Sequence, residues 1–100
     1  MLDDPELKKL RDAIDRLDHE LLSVLKKRAE IVMRVGDLKR IKDLPVYDPA
    51  REEALFQRLA ADAEAPLDAE AVRSVFREVV HNCRRLEEDH VDSLPEIQRP

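Results

Sequence analysis

The fold is decided by residues 5–41, PELKKLRDAIDRLDHELLSVLKKRAEIVMRVGDLKRI, in which apolar residues recur at the alternating three- and four-residue steps of a heptad. This pattern predicts one helix from about residue 5 to about residue 41 that packs lengthwise against another helix. Asp4 before Pro5 is typical of a helix start, and a basic last turn before Pro45 indicates its end. Such a helix is roughly 55 Å long. The rest of a 100-residue chain cannot cover it, so we expect a partner chain.

The composition favours an all-α domain. One hundred residues allow one domain, and the single glycine, Gly36, argues against β folds and glycine-rich phosphate loops. The abundance of Ala, Leu, Glu, Lys and Arg is typical of helices. Because charged residues make up 41% of so short a chain, its own core is expected to be thin, which favours oligomerisation.

Several classes of function are excluded or disfavoured by the same composition. The net charge of −5 argues against a nucleic-acid partner, although a local basic cluster can still bind a small anion. A single cysteine, Cys83, excludes an internal disulfide, and no Cys/His cluster has the spacing of a metal site. The N-terminus lacks an apolar signal core, and no segment reaches transmembrane length. We therefore expect a soluble cytoplasmic protein without membrane contact.

Two shorter helices are predicted after the long one. Helix 2 is expected at about 49–63, where Asp48 precedes Pro49, and helix 3 at about 68–88, beginning at Asp68. The helical domain then covers 1–88, and residues 89–100 lose the periodicity and are expected to form a flexible tail or the start of a linker. The predicted buried face of helix 3 consists of Val72, Val75, Phe76, Val79, Val80, Cys83 and Leu86.

Two basic residues stand out on one face of the long helix. Arg28 occupies the seam position between Val24 and Ile31, where an aliphatic residue is expected. A buried guanidinium is costly unless an anion meets it, but Arg28 can also set the helix register or reach solvent along the surface. Lys39 lies eleven residues further on, within about 20° of the same face, either as a second cation for that anion or as an ordinary basic helix end.

Arg11 lies too far along the helix to share a site with Arg28 of its own chain. In an antiparallel homodimer centred near residue 23, Arg11 of the partner subunit falls opposite Val35, between Arg28 and Lys39. Three cations then frame each of two symmetric sites. The alternative is that Arg11 is an ordinary solvated charge.

Two polar groups on the shorter helices are ambiguous from their spacing. Asp48, Arg51 and Glu52 fit a helix cap with first-turn surface residues. Cys83 and Glu87 are four residues apart on helix 3, and fit a small buried thiol beside an exposed acid. Neither group identifies a site by itself.

Taken together, these residues resemble the all-helical class of chorismate mutases, such as the mutase domain of bacterial bifunctional mutase–dehydratase proteins. The resemblance extends from Leu7 to about Glu88. It is carried by RDAIDRLDHELLSVLKKRAEIVMRVGDLK in helix 1, PVYDPARE before and in helix 2, and LDAEAVRSVFREVV in helix 3. It implies an intertwined antiparallel homodimer of three-helix protomers, with sites built from both chains. It also implies conversion of chorismate to prephenate in phenylalanine and tyrosine biosynthesis, without cofactor or metal.

The resemblance further implies a role for each matching residue. Arg28 and Arg11 of the partner subunit would hold the two carboxylates of chorismate, and Lys39 would donate to the ether oxygen as its bond to the ring breaks. The remaining residues implied at the site are Asp48 and Glu52 near the ring hydroxyl, Arg51 supporting that loop, Glu87 at the ether oxygen, Cys83, and the apolar walls Val32, Val35 and Val80.

Helix 3 departs from the family pattern at two positions. Cys83 and Glu87 align with a serine and a glutamine found in many members, and a thiol is only a weak donor. A glutamine donates to the ether oxygen at any pH, whereas a glutamate must first be protonated. We therefore expect catalysis to improve at mildly acidic pH.

Two other functions fit the same sequence. One is isochorismate-pyruvate lyase, a related pericyclic enzyme of the same fold with a similar basic framework. The DPARE segment at 48–52 looks more like a mutase than a lyase. The other is a non-catalytic helical dimerisation or regulatory module, which leaves Arg28 on the apolar seam unexplained.

Overall fold

The computed structural model describes residues 4–96 of the chain. This part contains three helices, joined by short connecting segments, and no strand. They are α1 (Pro5–Ile41), α2 (Pro49–Ala61) and α3 (Ala69–Ser93). The prediction of an all-α chain with one long and two shorter helices is confirmed for this part. None of these three helices is long and apolar enough to cross a membrane.

An aspartate side chain caps the beginning of each helix. Asp4 accepts the backbone N–H of Glu6 at 2.8 Å, Asp48 accepts that of Arg51 at 3.1 Å, and Asp68 accepts that of Ala71 at 2.8 Å. These bonds satisfy N–H groups that the first turn of a helix leaves without a backbone partner.

The end of α1 is a tight turn that reverses the chain. Asp43 has a φ of 60°, a left-handed conformation that aspartate tolerates better than most residues. Around it, the N–H of Leu44 donates to the carbonyl of Lys39 at 2.7 Å, and the N–H of Asp43 donates to that of Arg40 at 3.2 Å. This pair of bonds is the Schellman arrangement, which ends the helix.

The chain divides into two compact units, one up to Glu30 and one from Ile31 onward. In the first, α1 has its seam residues Leu10, Ile14, Leu17, Leu21 and Val24 exposed. In the second, α2 packs against α3, and the buried residues are Gly36, Val72, Val80, Cys83 and Glu87. The core of this unit is therefore thin and lies along α3.

Helix α3 differs from the prediction at its end and in its buried face. It continues to Ser93 instead of ending near 88, because the packed positions continue from Glu87 to Val91 and Leu94, which are both half-buried. Val75 and Leu86 were expected to be buried but are exposed, since they lie at the edge of the face that packs.

Helix α2 is two residues shorter than predicted, because Asp62 closes it by donating its N–H to carbonyls of the last turn. Of the tail expected at 89–100, residues 97–100 lie outside the described part.

Candidate active site

A buried ion pair between the end of α1 and α3 is the centre of the candidate site. Lys39 Nζ lies 3.1 Å from Glu87 Oε2, and the two side chains are 21% and 8% exposed. Lys39 Nζ also donates to the backbone carbonyl of Val46 at 2.7 Å. Oε2 of Glu87 is fully buried, and its approach to Lys39 lacks hydrogen-bond geometry. A buried carboxylate that is charge-paired but not saturated with hydrogen bonds is uncommon in folded proteins.

Gly36 makes room for this ion pair. It is the buried residue of α1, and a Cβ placed there would lie 3.0 Å from Cγ of Glu87 and 3.1 Å from Cγ2 of Val91. Both distances are shorter than ordinary carbon contacts, so any side chain would displace Glu87 or Val91. The cost of a glycine in a helix is therefore explained here by the close approach of α3.

The segment between α1 and α2 is held over Lys39. The carbonyl of Val46 accepts from Lys39, and two residues later Asp48 caps α2. Asp48 is thus placed by its capping bond to the N–H of Arg51, whose own side chain is exposed. The cap interpretation of Asp48 is confirmed.

Glu52 points toward α3 from the first turn of α2. Its Oε2 lies 3.0 Å from Nε of Arg84, and the two side chains are 19% and 27% exposed. The guanidinium of Arg84 also lies over the ring of Tyr47, 4.2 Å from the ring centroid. Neither Arg84 nor Tyr47 was among the predicted site residues, because an arginine on a helix and an exposed tyrosine in a loop carry no local signal of such a pairing.

The remaining predicted residues differ in their placement. Cys83 and Val80 are buried on α3, so the expectation of a buried thiol is confirmed, while the acid beside it, Glu87, is buried rather than exposed. Val32 is half-buried and Val35 is 41% exposed.

Arg11 and Arg28 belong to the first unit, whereas Lys39 belongs to the second. Arg28 is half-buried and Arg11 is exposed. Within residues 4–96, no hydrogen bond or ion pair involves either guanidinium.

A second contact between α1 and α3 follows the first. Nε2 of His90 lies 2.7 Å from Oδ1 of Asp37. This contact was not predicted, because helix 3 was expected to end near residue 88. Continued helical spacing from Glu87 to Val91 is the signal that could have revealed it.

Chemically, this arrangement offers fixed charge on rigid helices. Lys39 supplies a cation beside a buried carboxylate, and Glu52 supplies a second carboxylate that is paired with Arg84. Among residues 4–96, no three His, Cys, Asp or Glu side chains are grouped so as to hold a metal ion. The fixed ammonium group of Lys39 can attract an anion and polarise a bond in it.

A family model described as chorismate mutase type II matches residues 10–88, which include Arg11, Arg28, Lys39, Glu52 and Glu87. The chain belongs to the chorismate mutase type II family. The family resemblance seen in the sequence is thereby confirmed.

Solved structures and curated relatives agree with this family. The chorismate mutase of Helicobacter pylori, solved in complex with prephenate, is 33% identical, covers 92% of this chain and 100% of its own, and superposes with a TM-score of 0.85. The bifunctional chorismate mutase/prephenate dehydratase of Aquifex aeolicus is 37% identical over 86 residues, which are 82% of this chain. The T-protein of Haemophilus influenzae is 43% identical over 72 residues, which are 71% of this chain.

The chain spans only part of these curated relatives. The matched region is 24% of the Aquifex aeolicus protein and 19% of the Haemophilus influenzae T-protein, whereas it is the whole of the Helicobacter pylori structure. The similarity to these longer proteins therefore concerns one region of each.

Proposed function

We propose that this chain is a chorismate mutase, which converts chorismate to prephenate by an intramolecular rearrangement. The observation that carries the proposal is the Lys39–Glu87 pair, buried at the meeting of α1 and α3 inside the region that matches the family. The full-length match to a chorismate mutase that binds prephenate supports the same reaction.

The rearrangement needs neither a nucleophile nor an external proton acceptor. The carbon–oxygen ether bond breaks while a carbon–carbon bond forms within the same molecule. A protein accelerates such a step by holding the flexible dianion in a compact conformer. It also does so by placing positive charge where negative charge grows on the ether oxygen.

Lys39 is proposed to donate to the ether oxygen. Its ammonium is held by the Val46 carbonyl and the Glu87 carboxylate, so it is oriented before substrate binds. Such preorganisation is what makes a fixed charge effective on a transition state. In the free protein the Glu87 carboxylate pairs with Lys39. After taking up a proton, Glu87 is proposed as the second donor to the same oxygen, and Cys83, a weak donor, lies on the same face of α3.

Arg28 and Arg11 of the partner subunit are proposed to bind the substrate carboxylates, since guanidinium groups match carboxylates with two parallel hydrogen bonds. Glu52, in the loop and helix segment that begins at Asp48, is proposed to bind the ring hydroxyl, with Arg51 supporting that segment. Val32, Val35 and Val80 are proposed as apolar walls.

The site is proposed to require an antiparallel homodimer. The support is the exposed seam of α1, where large apolar side chains are between 41% and 65% exposed: Leu10, Ile14, Leu17, Leu21, Val24, Ile31, Val35, Leu38 and Ile41. Monomeric proteins rarely expose so many large apolar residues on one element. A second copy of the chain, with its own seam, is the complementary surface.

The test of the function is product identification with two substrates. Chorismate supplied to the purified chain is expected to yield prephenate, and isochorismate is expected to yield no pyruvate. Pyruvate release from isochorismate without prephenate formation from chorismate would assign the lyase reaction instead. If neither substrate gives a product, the non-catalytic helical module is the function that still fits.

The cytoplasmic location expected from the sequence stays a prediction.

The dimer proposal makes a quantitative prediction for mixed variants. Arg11→Ala and Arg28→Ala homodimers each have two damaged sites, but a heterodimer of the two has one intact site. Equal amounts unfolded and refolded together are expected to recover about a quarter of the wild-type activity, because half of the dimers are mixed and half of their sites are intact.

The control for this mixture is each variant refolded alone, which should stay inactive. A mixture no more active than its components would contradict sites shared between chains. Sedimentation of the wild type as a monomer would contradict the dimer itself.

The proposed role of Glu87 predicts that kcat/KM depends on pH. Because only a protonated carboxyl can donate to the ether oxygen, kcat/KM is expected to be higher at a pH of about 5 than at a pH of about 8. In Glu87→Gln the amide donates at every pH, so this rise should disappear. The measurement is kcat/KM across that range for both proteins, and identical profiles would contradict the role of Glu87.

A further inference from the structure

Arg84 joins two segments that border the candidate site and has no assigned role. From α3, its Nε reaches Glu52 in the first turn of α2 at 3.0 Å, and its guanidinium covers the ring of Tyr47 at 4.2 Å. Tyr47 follows Val46, whose carbonyl accepts from Lys39. The segment before α2 is therefore held by α1 on one side and by α3 on the other.

The partial burial of the Arg84 side chain distinguishes its ion pair with Glu52 from an exposed surface ion pair. Its side chain is 27% exposed, Nε is fully buried, and its contact with Glu52 is an ion pair without hydrogen-bond geometry. Exposed ion pairs contribute little, but a partly buried carboxylate that loses its partner keeps an uncompensated charge. For comparison, the neighbouring Arg85 forms an exposed i,i+4 pair with Asp89 at 3.6 Å.

We propose that Arg84 is a positioning residue, which orients the Glu52 carboxylate and neutralises its charge toward an anionic substrate. This inference rests on the proposed function, since it concerns the binding of the chorismate dianion. Without Arg84, Glu52 presents an unpaired negative charge to a substrate that carries two. The cation–π contact with the Tyr47 ring, 4.2 Å from its centroid, helps to hold the guanidinium beside Glu52.

The role is expected to appear in KM rather than in kcat, because Arg84 acts on substrate binding through Glu52 and not on the breaking bond. Arg84→Ala is expected to raise KM about tenfold and to change kcat by less than about threefold. Arg84→Lys, which keeps the charge but not the planar stack, is expected to restore part of the loss.

The deciding variant is Arg84→Ala combined with Glu52→Gln, compared with Glu52→Gln alone. If the defect of Arg84→Ala comes from the uncompensated charge of Glu52, then Arg84→Ala should have no further effect on KM once Glu52→Gln has removed that charge. KM of the double variant should then lie within about threefold of KM for Glu52→Gln. A merely structural role of Arg84 would instead raise KM in both backgrounds.

The experiment uses steady-state chorismate kinetics on these variants, with Arg85→Ala as the matched control. Thermal unfolding of each variant shows that it is folded at the assay temperature, and Arg84→Lys provides the comparison if Arg84→Ala does not fold. An active wild type with Arg84→Ala equal to Arg85→Ala, or a KM defect of equal size with and without Glu52, would overturn this inference alone. A wild type without chorismate turnover would overturn the proposed function and, with it, this inference.

Discussion

Lys39→Ala is expected to lower kcat/KM for chorismate by about 10³-fold, which is about 4 kcal/mol of transition-state stabilisation. The substitution removes the cation proposed to meet the charge growing on the ether oxygen. It also leaves the Glu87 carboxylate, 8% exposed, without its counter-charge and the Val46 carbonyl without its donor.

Loss of folding is separated from loss of chemistry by two further variants. A buried carboxylate without a partner costs about 3 kcal/mol of folding free energy, so Lys39→Ala is also expected to unfold at a lower temperature. Adding Glu87→Gln removes that charge and should recover stability without recovering activity. Lys42→Ala, which changes an exposed lysine just after α1, is the control and should keep wild-type kinetics. Activity of Lys39→Ala within threefold of wild type would contradict the proposed role of Lys39.

Arg28→Ala is expected to cause a loss of similar size, about 10³-fold in kcat/KM, because a carboxylate of the substrate loses its partner. Arg28 is half-buried and forms no ion pair within residues 4–96, so its removal is expected to cost little stability. Arg34→Ala, at an exposed arginine of the same helix, is the matched control. Unchanged kinetics in Arg28→Ala, with the dimer intact, would favour the non-catalytic module over the mutase.

Helix number and helix starts were predictable because their causes are local. Asp4, Asp48 and Asp68 each accept the N–H groups that their own first turn leaves free. The end of α1 followed from similar signals, since the basic turn and Pro45 lie within a few residues of Asp43. The end of α3 was mispredicted because Val91 and His90 find their contacts on α1, far away in sequence.

The candidate site was predictable only in part. Lys39, Glu52 and Glu87 were named from the family resemblance, but their spacing alone did not identify the ion pair or the burial of Glu87. That burial depends on Gly36, whose missing Cβ allows Glu87 to approach α1. Arg84 and Tyr47 were missed because charged and aromatic surface residues pair through the tertiary fold, which no local pattern records.

The net charge of −5 is unfavourable for the proposed binding of a dianion, so the local pairing of acidic residues matters. The two carboxylates of the candidate site are each paired with a cation, Glu87 with Lys39 and Glu52 with Arg84. The remaining acids described in that unit include exposed residues such as Glu53 and Asp89, whose charges water and salt screen.

The most direct test of this account is the conversion of chorismate by the purified wild-type chain at neutral pH with nothing added. Chorismate absorbance and the appearance of prephenate, observed by proton NMR, are followed together against a protein-free sample. If the chain is a chorismate mutase, chorismate is lost far faster than in that sample and prephenate appears in equal amount. Loss at the protein-free rate, or loss to a product other than prephenate, would contradict it.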